Sequence, residues 1–215
     1  MRTVAIIGAG GFAREVLWLI RESALHGEKI EPWGFLDDNQ ENYGKVICDL
    51  DVKGGLDLLT QSLKKWILAV CAVGSPPIKK KVVERALDLG INFTSVIAPD
   101  VKRSSYCEIG EGSIICAGNI LTTQIKIGEH VIVNLDCSIG HDVIINDFAT
   151  IAPGVHISGN CTIGKGVDIG TGANLIQGIK IGDNSIIGAG STVIEDIPPN
   201  VTAVGVPAKI IKEHR

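Results

Sequence analysis

Residues 133–150 read VNLDCSIGHDVIINDFAT, and within them an aliphatic side chain recurs at Val133, Ile139 and Ile145, six residues apart. Followed outward, the spacing runs without a miss back through Ile127, Leu121, Ile115 and Ile109, and forward through Ile151, Ile157, Ile163, Ile169, Leu175, Ile181, Ile187 and Val193. A period of six fits neither the roughly 3.6-residue turn of a helix nor the two-residue alternation of a half-buried strand. It is the hexapeptide repeat of a parallel β-helix, in which each hexad makes one short strand and one turn. The aliphatic residue points into the prism. The position after it, glycine at Gly110, Gly128, Gly140, Gly164, Gly170, Gly182 and Gly188, is expected to take the tight corner with a positive φ. The fifth position favours small or β-branched residues such as Ser113, Val131, Cys137, Ala149, Val155 and Ala173.

The first hundred residues follow a different grammar. An apolar strand from Val4 to Ile7 runs into a glycine turn, then a helical stretch from about Phe12 to Ser23, then a strand-like Trp33-Gly34-Phe35-Leu36 ending in Asp37-Asp38. A further strand, Trp66 to Val73, leads into a helix from Ile78 to Leu89, which Ser75 can cap and Gly90 can end. A last strand-like piece, Phe93 to Ile97, reaches Pro99. The expected architecture is an α/β Rossmann-like domain, residues 1–100, followed by an all-β parallel β-helix, residues 101–215.

Gly8-Ala9-Gly10-Gly11-Phe12-Ala13 fits G-x-G-x-x-A after a strand and before a helix, where backbone N–H groups can hold a phosphate. Asp37, at the end of the second strand, stands where a carboxylate can accept hydrogen bonds from a ribose or base edge. About 100 residues leave no evident second half for a nicotinamide, so a mononucleotide handle fits better than NAD. The competing reading is that the glycines only permit close strand–helix packing.

Composition excludes several classes. With 20 Lys and Arg against 24 Asp and Glu, the chain is mildly acidic, and Lys79-Lys80-Lys81 is its richest basic run, expected as a solvated helix face and not a nucleic-acid site. No stretch is long and apolar enough for a membrane span or signal segment, so a cytoplasmic protein is expected. The six cysteines show no zinc-type spacing and read as buried free thiols. Of the five histidines, only His141 sits in a dense polar setting, beside Asp142. An imidazole can take a proton near neutral pH, and a neighbouring carboxylate can orient it and stabilise the imidazolium. An isolated histidine there would read as a solvated turn residue.

The chain resembles the bacterial sugar acyltransferases of the sialic-acid O-acetyltransferase and nucleotide-aminosugar N-acetyltransferase type. The resemblance covers nearly the whole chain. It rests on Ile6 to Val16, on Gly34-Phe35-Leu36-Asp37-Asp38, on Val131-Ile132-Val133-Asn134 followed by His141-Asp142, and on Pro198-Pro199-Asn200 to Lys209. It implies a left-handed β-helix with three hexads to a coil, so that Gly159 stacks over His141 and can offer its N–H to a developing oxyanion. It further implies His141 as general base, Asp142 as its partner and Asn134 as a substrate contact. Gly8, Gly10, Gly11, Phe12 and Asp37 would hold a nucleotide-linked amino sugar. Acetyl-CoA would lie between neighbouring β-helices along Gly159, Gly170, Gly188 and Ala189, which implies a homotrimer, with no metal. Some relatives carry histidine where this chain has Phe12 and Thr150, so polar contacts there are missing or replaced. O-acetylation of a sialic-acid-like sugar and a non-catalytic scaffold stay open as alternatives.

Overall fold

The computed structural model describes residues 1–59 and 65–214. The chain divides into two compact units, Met1–Pro99 and Asp100–Arg215.

The first unit opens with β1 (Arg2–Ile7), α1 (Gly11–Leu25) and β2 (Ile30–Leu36). A short hairpin of β3 (Val46–Ile47) and β4 (Leu50–Gly54) follows, then β5 (Ile67–Cys71) and α2 (Pro76–Asp88). The sheet order is β3-β4-β2-β1-β5, parallel except for the outermost β3. β1 lies in the interior and is apolar throughout its buried part, as a strand covered on both faces must be. α1 buries Ala13, Val16, Leu17 and Ile20, the stripe a helix offers at three- and four-residue spacing. β2 begins earlier than expected and carries a bulge, because Val4 pairs with Pro32 and Ala5 with Gly34. Proline brings no N–H to the ladder, and the register skips Trp33 beside it.

Three expectations change here. Ser75 occupies the N-cap of α2 but its side chain makes no capping bond; Pro76 at the first position has no N–H to satisfy, and Lys79 N–H donates to the Ser75 carbonyl at 2.8 Å. Lys79 is no part of a solvated face. It is buried on the same stripe as Pro76, Val83 and Ala86, and its charge reaches Cys71. Phe93 to Ile97 is not one strand: Phe93 forms an isolated bridge to Ala69, and only Val96–Ile97 is extended beyond it. Gly90 does end α2, at φ 72°. Its N–H donates to Leu87 O at 2.8 Å and that of buried Ile91 to Ala86 O at 3.0 Å.

In the second unit each hexad yields a two-residue strand. Each strand pairs in parallel with the strand eighteen residues on: Ile120 with Ser138, Ser138 with His156, Lys126 with Ile144, Ile132 with Thr150. Three such ladders close a prism with three hexads per coil. Of the fifteen inward aliphatic residues only Ile109, in the end strand of its ladder, is not fully buried. Each buried isoleucine contributes about 1.5 to 3 kcal/mol before chain entropy is counted.

The corners differ from expectation. The left-handed residue falls two places after the glycine slot, at every sixth position from Gly112 to Gly190, including Gln124, His130, Asp136, Asp142, Phe148 and Asn160. The glycines just after the aliphatic residue serve close approach between coils instead. A Cβ on Gly170 would stand 2.5 Å from the backbone nitrogen of Ala189. At the far end, Val201–Gly205 adds in parallel to Ile186–Ile187, and Ala208–Glu213 folds back antiparallel on it.

Candidate active site

His141 and Asp142 occupy the corner between strands Ser138–Ile139 and Ile144–Ile145. The backbone there is clamped from both sides: Asn160 N–H donates to His141 O at 2.8 Å, and Asp142 N–H to Thr123 O at 3.2 Å. With Asp142 at φ 58°, both side chains turn outward and stay exposed. His141 Nδ1 lies 2.8 Å from Asp142 Oδ2. An ionised carboxylate only accepts, so Nδ1 carries the hydrogen and Nε2 keeps its lone pair free for a proton. Gly159 lies across the ring, where a Cβ would fall 2.6 Å from both Cε1 and Nε2. The register therefore brings backbone, and no side chain, against the imidazole edge that would do the chemistry.

Cys137, four residues before His141, is no nucleophile. Burial pushes its thiol up to about 11 against the opposing backbone hydrogen bonds at Val155 and Gly154, and Sγ donates to Ala152 O at 3.2 Å. Five of the six cysteines are buried and none forms a disulfide among the described residues; Cys48 is the exposed one. His156 sits on a strand with Nδ1 2.8 Å from Ser138 Oγ, and His130 is buried at a different corner, stacked on Phe148. Among the described residues no group of three or more His, Cys, Asp or Glu could hold a metal ion.

The remaining candidates of this unit gather on another edge. Asn134, Gly170 and Gly188 follow inward residues of one ladder and stack at the corner leading to the next, with Ala189 alongside. Asn134 Oδ1 accepts from Leu135 N–H at 2.8 Å. One prism thus carries His141, Asp142 and Gly159 on one edge and Asn134, Gly170, Gly188 and Ala189 on the neighbouring edge.

In the first unit a crevice of about 160 Å³ opens at the carboxyl ends of β1 and β2, lined by Gly8, Asp37, Asp38, Leu56, Val73 and Val82. Ligands of parallel sheets gather at such ends. Gly8 has φ 107° and passes close to Ala72 O, so close packing accounts for it. It does not account for Gly10 and Gly11. A Cβ on Gly10 would meet nothing within 4 Å, and one on Gly11 only the Arg14 guanidinium at 3.8 Å. Gly10 stands at the start of α1, which has no side-chain cap, so the first N–H groups of the helix are open to an anion. The Asp37 carboxylate accepts from Asn39 N–H at 2.8 Å, and Asp38 pairs with Arg85 at 2.6 Å. Phe12 is half-buried in the first turn of α1.

One feature escaped the reading of the sequence. A groove of about 610 Å³, lined by Tyr106, Glu108, Gln124, Lys126, Asp142 and Ile144 among others, opens beside the His141 corner. Counting back eighteen residues from Asp142 and Ile144 reaches Gln124 and Lys126, which is the signal that could have found it.

An α/β unit with an uncapped glycine turn, joined to a hexapeptide prism with an exposed His–Asp pair, is the architecture of a two-part acyltransferase. Comparison agrees. Residues 3–86 match the PglD N-terminal domain, and residues 160–195 match the bacterial transferase hexapeptide model of six repeats. The acetyltransferase domain of PglB from Neisseria gonorrhoeae is 35% identical, with a TM-score of 0.88 over 98% of this chain and 100% of that one. A histidine-to-asparagine mutant of perosamine N-acetyltransferase from Caulobacter crescentus, solved with CoA and GDP-perosamine, is 28% identical with a TM-score of 0.86, covering 98% of this chain and 97% of that one. Galactoside O-acetyltransferase of Escherichia coli is 68% identical over 31 residues, only 14% of this chain and 15% of that enzyme. The chain belongs to the family of the PglB acetyltransferase domain, and it is an acetyltransferase.

Proposed function

We propose that this protein transfers the acetyl group of acetyl-CoA to the amino group of a nucleotide-linked amino sugar. The observation that carries the reading is the His141–Asp142 pair at 2.8 Å with the Gly159 backbone drawn across the free edge of the imidazole. The free amine attacks the thioester carbonyl, and His141 Nε2 removes the proton that the nitrogen sheds. Asp142 stabilises the imidazolium so formed. The Gly159 N–H donates to the oxyanion of the tetrahedral intermediate. Collapse expels the CoA thiolate, which takes the proton from His141 and restores the neutral base.

The nucleotide is assigned to the first unit, with its diphosphate at the Gly10–Gly11 opening of α1 and its ribose or base at Asp37. The relative solved with CoA and GDP-perosamine supports a substrate of this class, and the PglB domain solved with acetyl coenzyme A, 32% identical, supports the donor. The division of the remaining residues over two edges of the prism supports a homotrimer. A groove between neighbouring prisms takes the His141 edge from one copy and the Asn134–Gly170–Gly188–Ala189 edge from the next, and acetyl-CoA lies in it. The same reading sets the enzyme in the cytoplasm, in the supply of sugars for cell-surface polysaccharide.

A thiol-release assay with acetyl-CoA against UDP-, GDP- and dTDP-linked amino sugars, with free sialic acid and galactosides alongside, tests this. Turnover of a nucleotide-linked amino sugar is expected. Turnover of free sugars only would replace N-acetylation by O-acetylation, which the short galactoside O-acetyltransferase match makes the second reading.

A further inference from the structure

The groove beside the His141 corner belongs wholly to the β-helix unit, and its shape follows from the coil register. Tyr106, Gln124 and Asp142 are spaced eighteen residues apart along one edge, and Glu108, Lys126 and Ile144 stand eighteen apart on the outer face of the adjoining ladder. The groove therefore runs parallel to the prism axis over three coils, about 10 Å at the usual interstrand spacing. It ends at Asp142. From there the same edge continues in the opposite direction through Asn160 and Gly178, and Gly159 covers His141 from that side.

Charge separates what the two directions can hold. Coenzyme A carries several phosphate charges, and a groove edged by the carboxylates of Glu108 and Asp142 repels them, with Lys126 alone to offset. A sugar bearing hydroxyls and an amine meets complementary partners there: carboxylates accept from its O–H and N–H groups, and Lys126 donates to its oxygens. Tyr106 and Ile144, 71% and 41% exposed, add apolar surface against which the C–H face of a pyranose can pack. At about 610 Å³ the groove lies in the size range of small-molecule sites.

We propose that this groove is the acceptor-sugar subsite and that Glu108 and Lys126 are its specificity-determining residues. The acceptor approaches His141 from the N-terminal coils and the acetyl donor from the C-terminal ones. This inference rests on the acetyl-transfer reading above, because it needs an acceptor that reaches His141.

Steady-state kinetics on the full-length protein, with the nucleotide-linked amino sugar that the unaltered enzyme turns over best, provide the test. Glu108→Gln and Lys126→Met are each expected to raise the acceptor KM about tenfold. The acetyl-CoA KM and kcat should stay within about twofold, and Lys126→Arg should recover most of the loss. Oligomeric state and melting temperature of each variant, measured in parallel, separate a binding effect from a folding one. An acceptor KM unchanged in both variants, a rise in the acetyl-CoA KM instead, or dissociation of the oligomer in place of a KM effect overturns the subsite alone. Failure of the unaltered enzyme on every nucleotide-linked amino sugar removes the acetyl-transfer reading and this inference with it.

Discussion

The two units put glycine to opposite uses. In the β-helix, Gly110, Gly140 and Gly170 leave out a side chain because the next coil occupies the space, and the neighbour is backbone that cannot retreat. In the first unit, Gly10 and Gly11 face open solvent, where a side chain would be tolerated by everything in the protein. An absent Cβ that nothing in the fold demands points to something outside the fold. On the proposed reading, the contrast separates glycines kept for stability from glycines kept for a ligand.

On the acetyl-transfer reading proposed above, the largest effect should come from the His141 edge of the β-helix. His141→Asn is expected to lower kcat about 10²- to 10⁴-fold while leaving thermal stability unchanged, since the side chain is exposed and supports no packing. A lost melting transition in that variant would mean that the pair is structural. Next, Gly170→Val should lower the stability of the second unit by about 3 kcal/mol or more, read as a fall in denaturation midpoint, because the added group meets backbone. Gly10→Ala should leave the melting temperature in place and raise the KM for the nucleotide-linked sugar. Equal losses of stability in the two glycine variants would dissolve the comparison.

Smaller effects sharpen it. A thiol reagent should label one cysteine in the native protein, Cys48, and all six after unfolding, because the other five are buried. Burial pushes Cys71, like Cys137, to about 11, so raising the pH from 7 to 9 should bring neither of these two thiols into the native labelling. Asp147→Asn should cost least. Burial pushes this carboxyl up, but Lys165 at 2.9 Å and the Glu129 N–H outweigh it and hold it below the usual range. Its contribution is thus full above the unfolded carboxylate pKa of about 3.9 and is lost as pH falls through the lower folded value. The melting difference between variant and parent should shrink over that acid window.

How much of this the sequence discloses depends on how far apart the partners lie. The prism is legible because each residue's environment recurs at a fixed interval, so Ile139 and Ile157 announce the same interior. The His141–Asp142 pair is legible because its members are adjacent. The left-handed corners were misplaced by two residues because glycine also marks close approach between coils, and a one-dimensional reading cannot tell a demand on φ from a demand on space. Lys79 deceived because its charge outweighed its place on the buried stripe of α2. The β3–β4 hairpin, too short for any period to show, went unseen. The groove with Glu108 and Lys126 required the coil length to be applied as a register, and not only as a count.

That register also fixes which changes of length the enzyme can absorb. Adding or removing eighteen residues in the prism would raise or lower everything beyond it by one storey and leave every edge facing as before. Six residues would instead turn the remainder by one face, carrying the glycine edge away from its neighbour while each isoleucine still found a hydrophobic interior. Such a protein would fold and yet be blind to its substrates. The architecture is therefore forgiving to height and intolerant of rotation, so length variation among enzymes built this way should come in whole storeys or in loops that leave the prism and return.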